Sequence, residues 1–166
     1  MHTLTVHLQP SKVEKTVGDP YLLLQLDPQT PAALPMQFAR EVFVVPVGRI
    51  TSMPNMPAYI LGLLNHRSKV LWIVDLPQML QLQALDRGTR QYNIVIVQAG
   101  NVPLGLVVPE VKGVIRFPAD LIQSPIGTVA TGLTTYLQGC VLQRREVLLI
   151  LDPQAIVHSP ILSKNS

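Results

Sequence analysis

Short apolar runs alternate along the chain with breaks that carry proline or glycine. Tyr21-Leu22-Leu23-Leu24-Gln25-Leu26 is an apolar run closed by Asp27-Pro28 and predicts a strand, with turn chemistry over Gln29 to Ala33. Met36 to Val47, rich in Val and Phe, predicts another, with Pro46 at its end or on a sheet edge. Thr51 to Pro57 holds two prolines, each of which biases its predecessor away from helix, and so predicts an extended loop. Val70 to Val74, Ile94 to Val97, Leu104 to Val108 and Val111 to Phe117 read as further strands. The first twenty residues show no clear period, and only Thr3 to Leu8 alternates as a strand does. Helical spacing occurs once, where Met79, Leu82 and Leu85 recur every third residue in Pro77 to Leu85, with Gly88 placed to end the helix. A doubly wound α/β sheet needs a helix between nearly every pair of strands. The pattern therefore predicts an all-β fold with a few short helical turns.

The pattern also repeats. Setting Tyr136 against Tyr59, an offset of 77 residues, aligns Gly139 with Gly62, Leu142 with Asn65, Arg144 with Arg67, Val147 with Val70, Ile150 with Ile73 and Asp152 with Asp75. Each copy runs apolar segment, Gly, basic turn, strongly apolar strand, Asp, helical turn. A fainter match sets Glu110-Val111 against Glu41-Val42. Two related small barrels follow, each with too little core to stand comfortably alone. A shared interface between them, with Ile73 and Ile150 in the common core, explains why Val70 to Val74 and Val147 to Leu151 are apolar on both faces, since a strand exposed on one side alternates.

Composition narrows the classes. Of 166 residues, 48% are hydrophobic and 14% charged, which excludes disorder over most of the length. Fifteen prolines and ten glycines keep the apolar runs too short for long bundled helices or a membrane-spanning helix. With no apolar signal-peptide core in Met1 to Lys12 and one cysteine, the expected compartment is the cytoplasm. A net charge of +3 permits a nucleic-acid-binding barrel, the rival class, but 5% aromatics and scattered charge weigh against it.

Catalytic chemistry is hard to find. None of His2, His7, His66 and His158 is three or four residues from another, and no Cys or acidic cluster completes a metal site. Gly100 to Gly105 has phosphate-loop spacing, but Leu106-Val107 stands where the Lys and Ser/Thr belong. Cys140, amid Gly139, Val141 and Leu142, reads as a buried inert thiol, and no residue set for a hydrolase can be named. Asp75 and Asp152 each end an apolar strand just before a Pro, which is how a helix-capping Asp reads. Trp72, among Val, Leu and Ile, reads as core or interface rather than a stacking platform. Two basic turns remain, His66-Arg67-Ser68-Lys69 and Gln143-Arg144-Arg145-Glu146; such charges are ordinarily just solvated.

What surrounds Arg67 changes that. Glu41-Val42, Ile50-Thr51, Pro54-Asn55-Met56-Pro57, Tyr59-Ile60, Gly62, Asn65, Arg67, Val70 and Asp75-Leu76 together resemble the CheW family of chemotaxis coupling proteins. The family signature runs through a Pro-rich loop, a Gly, an Asn-Leu-Arg-Gly turn and an apolar strand ending in Asp-Leu; Tyr136 to Val157 is similar to its closing segment. The likeness spans about residues 20 to 158. It implies two packed SH3-like five-stranded β-barrels with no enzymatic activity, cofactor or metal. The implied role is an adaptor between the cytoplasmic tip of a chemoreceptor and the regulatory domain of a CheA-type histidine kinase, in a chemotaxis, phototaxis or pilus-motility array. Neither nucleic acid nor membrane insertion is implied. By the same resemblance Arg67 lies near a receptor-binding groove between the barrels and the strand holding Val42 contributes to it, so Arg67, Val42, Asn65, Gly62 and His66 form the expected receptor or kinase surface. His66 stands where the family usually has Leu, Ser68 where it has Gly and Trp72 where Pro is common, which marks a divergent member. The expected division is a tail or loosely added strand over 1–19, one domain over 20–158 and a tail over 159–166. Within the domain, one barrel covers about 37–90 and the other about 91–158, to which strand 21–26 can belong.

Overall fold

The computed structural model describes residues 18–86, 88–124, 131–143 and 145–159. The expected Thr3 to Leu8 strand and Arg144 of the second basic turn lie outside them. Among the described residues ten strands form: β1 (Asp19–Asp27), β2 (Thr30–Pro35), β3 (Ala39–Pro46), β4 (Ile60–His66), β5 (Lys69–Asp75), β6 (Gln91–Ala99), β7 (Val102–Val108), β8 (Glu110–Phe117), β9 (Leu137–Leu142) and β10 (Val147–Leu151). Three short α-helical turns, α1 (Leu76–Met79), α2 (Thr131–Thr134) and α3 (Pro153–Val157), and three 3₁₀ turns, at Met36–Phe38, Val47–Arg49 and Ala119–Leu121, accompany them. The strands make two five-stranded sheets, ordered β3-β6-β7-β5-β4 and β8-β1-β2-β10-β9.

Each sheet wraps around its own apolar filling. Val45, Leu64, Leu71, Ile73, Ile94, Ile96 and Val107, one or two from each strand, fill the first. Tyr21, Ala33, Phe117, Val141, Leu148 and Ile150 fill the second, where Tyr21 and Phe117 stack with ring centroids 4.1 Å apart. Closure comes from the segment after the first strand of each three-strand unit. Thr51 bridges Leu63 on β4, and Gln123 bridges Cys140 on β9. Leu63 and Cys140 stand at the 77-residue offset, so the sequence repeat is a structural repeat.

The repeats are not the barrels, however. Hairpin β1–β2 precedes β3–β5 in the chain but pairs with β8 and, in parallel, with β10; hairpin β6–β7 pairs with β3 and, in parallel, with β5. Each barrel thus combines three strands of one copy with the hairpin of the other. Residues 91–108 belong to the first sheet, and the change of sheet falls at Pro109 rather than near residue 90. The expected boundary follows the repeat, and the repeat carries no mark of which hairpin crosses over.

The largest apolar cluster lies between the barrels. Leu22, Leu24, Ala32, Leu34, Leu149, Leu151, Ile156 and Val157 of one pack with Val74, Leu76, Val95, Val97, Leu104, Leu106 and Val108 of the other. Alternation explains the two-sided apolar strands: Ile94 and Ile96 point into the first barrel while Val95 and Val97 point at the second. Ile73 and Ile150, expected in the common core, sit one in each barrel's interior, and their neighbours Val74, Leu149 and Leu151 make the interface. Trp72 is half-buried against that interface, and Cys140 is buried.

Two local expectations also give way. Thr30 to Pro35 is a central strand, not a turn: Ala32 and Ala33 are fully buried and take the parallel register with Leu149 and Ile150, while Pro31 and Pro35 lie outside that short pairing where no N–H is needed. The helix expected over Pro77 to Leu85 stops after one turn at Met79, and Gln81 adopts φ 64°. Asp75 is the reason. Its Oδ1 accepts from the Gln78 amide at 3.0 Å as a cap, and its Oδ2 accepts from the Leu85 amide at 3.2 Å, pulling the chain back on itself. Asp152 caps α3 through Oδ1 alone, from the amides of Gln154 and Ala155.

Candidate functional site

The β4–β5 hairpin turns at Arg67 and Ser68, with φ of 54° and 67°. Two consecutive left-handed residues are the mark of a type I′ hairpin turn, which ordinarily takes Asn-Gly. This turn throws the Arg67 side chain outward, 74% exposed, from the end of an edge strand.

His66, one residue earlier, points the other way, toward the barrel, on the same side as buried Leu64. Its ring stacks on Phe43 of β3 with centroids 4.1 Å apart and planes 3° from parallel, and Phe43 in turn packs on the first barrel's filling. Glu41, two residues before Phe43, lies on the same face of β3. One carboxylate oxygen, Oε1, is 3.2 Å from His66 Nε2, and Oε2 accepts from Arg67 Nη2 at 3.1 Å. Arg67 Nε lies 3.3 Å from His66 Nε2. Glu41, His66 and Arg67 thus tie together β3 and β4, the two edges of the first sheet, at the barrel's mouth. The Glu41 carboxyl is held below its ordinary value, chiefly by the hydrogen bond from His66 and then by the Arg67 charge, which outweigh partial desolvation.

The Nη1 amino group and the second Nη2 hydrogen of Arg67 have no acceptor among the described residues. That is the end-on fork of a guanidinium, the geometry that grips a carboxylate or a pair of backbone carbonyls.

Apolar surface flanks the fork. Val42 pairs directly with Val95, and residues directly opposite in an antiparallel ladder share a face. Val95 is fully buried between the barrels, so Val42, 47% exposed, and Val44 continue the inter-barrel surface out to solvent along β3. On the other flank Val74, Trp72 and Val70 pass along β5 from buried to half-buried to exposed, and exposed Asn65 pairs with Val70.

The structure therefore brings Arg67, His66, Val42 and Asn65 to one end and margin of the first barrel. Gly62 is different. It is buried at φ 141°, and a Cβ there would collide with the Thr51 carbonyl oxygen. The expectation that it contributes contact surface fails: its absent side chain seats Thr51 against β4. Sequence reasoning missed Glu41 as a site residue because its partners are 25 and 26 residues away, where no spacing rule reaches. Val44 was legible in principle, being two residues from Val42 on a strand.

Among the described residues no group of three or more His, Cys, Asp and Glu is arranged to hold a metal ion. Fold and site together define a double-barrel binding protein, organised around a seam of exposed apolar and charged groups. The family model of the CheW-like domain matches residues 20–160, and the chain belongs to that family of non-catalytic scaffold and adaptor proteins. It is 30% identical over 125 residues to a chemotaxis protein CheW of Treponema pallidum, covering 73% of each chain. It is 28% identical over 123 residues to protein PilI of Pseudomonas aeruginosa, covering 69% of this chain and 68% of the relative. Among solved structures, the scaffolding protein TtCheW from Thermoanaerobacter tengcongensis superposes with a TM-score of 0.68 at 22% identity, over 82% of this chain and 90% of the other, which agrees with the fold of two SH3-like barrels.

Proposed function

We propose that this chain is a coupling adaptor of a chemosensory array, acting in the cytoplasm, which joins the cytoplasmic tip of a chemoreceptor to the regulatory domain of a CheA-type histidine kinase. The observation that carries the reading is the continuity of the inter-barrel apolar surface with exposed Val42 and Val44, beside the outward fork of Arg67. An apolar strip with an outward-facing guanidinium at its end suits a helical hairpin. Apolar side chains on the helices supply area, and a carboxylate or terminal carbonyls meet the fork and set register. Val42 and Arg67 form the receptor contact, Asn65 borders it, and His66 shapes it from behind.

The test is reconstitution with a receptor cytoplasmic fragment and a kinase regulatory domain, read by co-sedimentation. Wild-type chain should bring both down together, and Val42→Lys should lose the receptor while keeping the kinase. Retention of neither protein, with salt-dependent retention on single-stranded nucleic acid instead, would overturn the reading in favour of a nucleic-acid-binding barrel.

A further inference from the structure

His66 Nε2 lies within hydrogen-bond reach of two groups that make opposite demands of it. Glu41 Oε1, at 3.2 Å, is an acceptor and needs a proton on that nitrogen; Arg67 Nε–H, at 3.3 Å, is a donor and needs a lone pair there. One nitrogen cannot satisfy both. We propose that His66 is a proton-operated selector, which when neutral can hold Arg67 along the barrel seam and when charged takes Glu41 for itself and sets Arg67 free.

With the proton on Nδ1, Nε2 accepts from Arg67 Nε while Arg67 Nη2 donates to Glu41 Oε2, so one edge of the guanidinium is anchored at two points. Protonation turns Nε2 into a donor committed to Glu41. Arg67 Nε then loses its acceptor and faces a like charge, and only the Nη2 contact remains. The ring cannot relieve this by swinging out, because it is stacked on Phe43, which packs on the barrel filling. The adjustment falls on the most exposed member, Arg67, at 74% against 21% for His66 and 29% for Glu41. Charged groups facing the ring are Glu41 from β3 and Arg67 from the turn; Lys69, paired with His66 across the hairpin, is exposed and adds positive charge on the β5 side. Histidine is the side chain suited to the task, since it ordinarily changes charge between about pH 5 and 8.

The functional weight of the selector rests on Arg67 being the receptor contact, but its operation is measurable without a receptor. In the intact chain, the Nε–H resonance of Arg67 and the ring carbons of His66 are followed by NMR across that pH range. The expected result is a single-proton shift of the Arg67 signal with the same midpoint as the ring, absent in both His66→Gln and His66→Leu. An Arg67 signal that stays flat while the ring titrates, or that shifts equally in the variants, would overturn the proposal. A coupled titration in a chain whose receptor affinity ignores Arg67 would instead sink the receptor reading and leave the selector standing.

Discussion

Arg67 and Ser68 both occupy left-handed backbone, a region where a Cβ is unfavourable by roughly 1–2 kcal/mol. Ser68→Gly is therefore expected to raise stability by about 0.5–1 kcal/mol in urea denaturation, after the greater freedom of glycine in the unfolded chain is counted. An unchanged or lower midpoint would mean that the turn is not strained. Asp75 and Asp152 separate in the same way. The two oxygens of Asp75 accept from two different amides, so in Asp75→Asn an NH2 group must face one N–H, at a cost of about 1–3 kcal/mol. Asp152 uses one oxygen, and Asp152→Asn should cost less than about 0.5 kcal/mol. Equal costs would refute the double role of Asp75. Sequence identifies both as caps, because Asp followed by Pro is a local signal; the Leu85 contact, ten residues on, is not local and stays hidden. Glu41 carries a pH dependence of definite sign. Its folded value is depressed, so its contribution is present above the unfolded glutamate range and disappears as pH falls through the folded value. Burial pushes Asp75 the other way, against the two amide bonds, so its contribution runs in the opposite direction, falling as pH rises through the folded value. Chemical-denaturation midpoints measured against pH should show an acid limb that Glu41→Gln flattens; a limb unchanged in that variant would contradict the ion pair.

At the scale of elements, the two closures share one device: a glycine beside a bridging residue. The contact is tighter at Gly62, where a side chain would meet the Thr51 carbonyl oxygen and φ is 141°, than at Gly139, where it would meet the Gln123 carbonyl oxygen without a left-handed backbone. Gly62→Ala should accordingly cost roughly 2–4 kcal/mol and exceed the cost of Gly139→Ala, as read by thermal unfolding. The reverse order would mean that the Thr51 bridge is dispensable. Strands carrying branched apolar side chains, such as β5, β7 and β10, are legible because their composition and length allow little else. β2 is not, since Thr-Pro-Ala-Ala-Leu-Pro has weak strand propensity and becomes a strand through its pairing with β1 on one side and β10 on the other. The helix over Pro77 to Leu85 fails for a related reason: three apolar residues at the right spacing outline a face, but a buried carboxylate ends the turn.

Over the whole molecule the inter-barrel core is larger than the filling of either barrel, so the barrels are cooperative partners. Leu106→Ala, in that shared core, should cost about 2–5 kcal/mol and still leave one unfolding transition. Two separated transitions would show barrels that fold independently. The two-barrel architecture is legible from the repeat, whereas the exchange of hairpins between barrels is not, because pairing partners leave no periodic trace. Exchange also bears on function: strand β6, paired with β3, buries Val95 and Val97 between the barrels and so sets Val42 at the margin of their interface. This margin, with Arg67 at its end, is the surface proposed for the receptor. Titration of a receptor cytoplasmic fragment into wild type and Arg67→Ala tests it most directly. The variant should lose about 1–3 kcal/mol in binding with the thermal midpoint nearly unchanged. Equal affinity for both, with the fold intact, would contradict it.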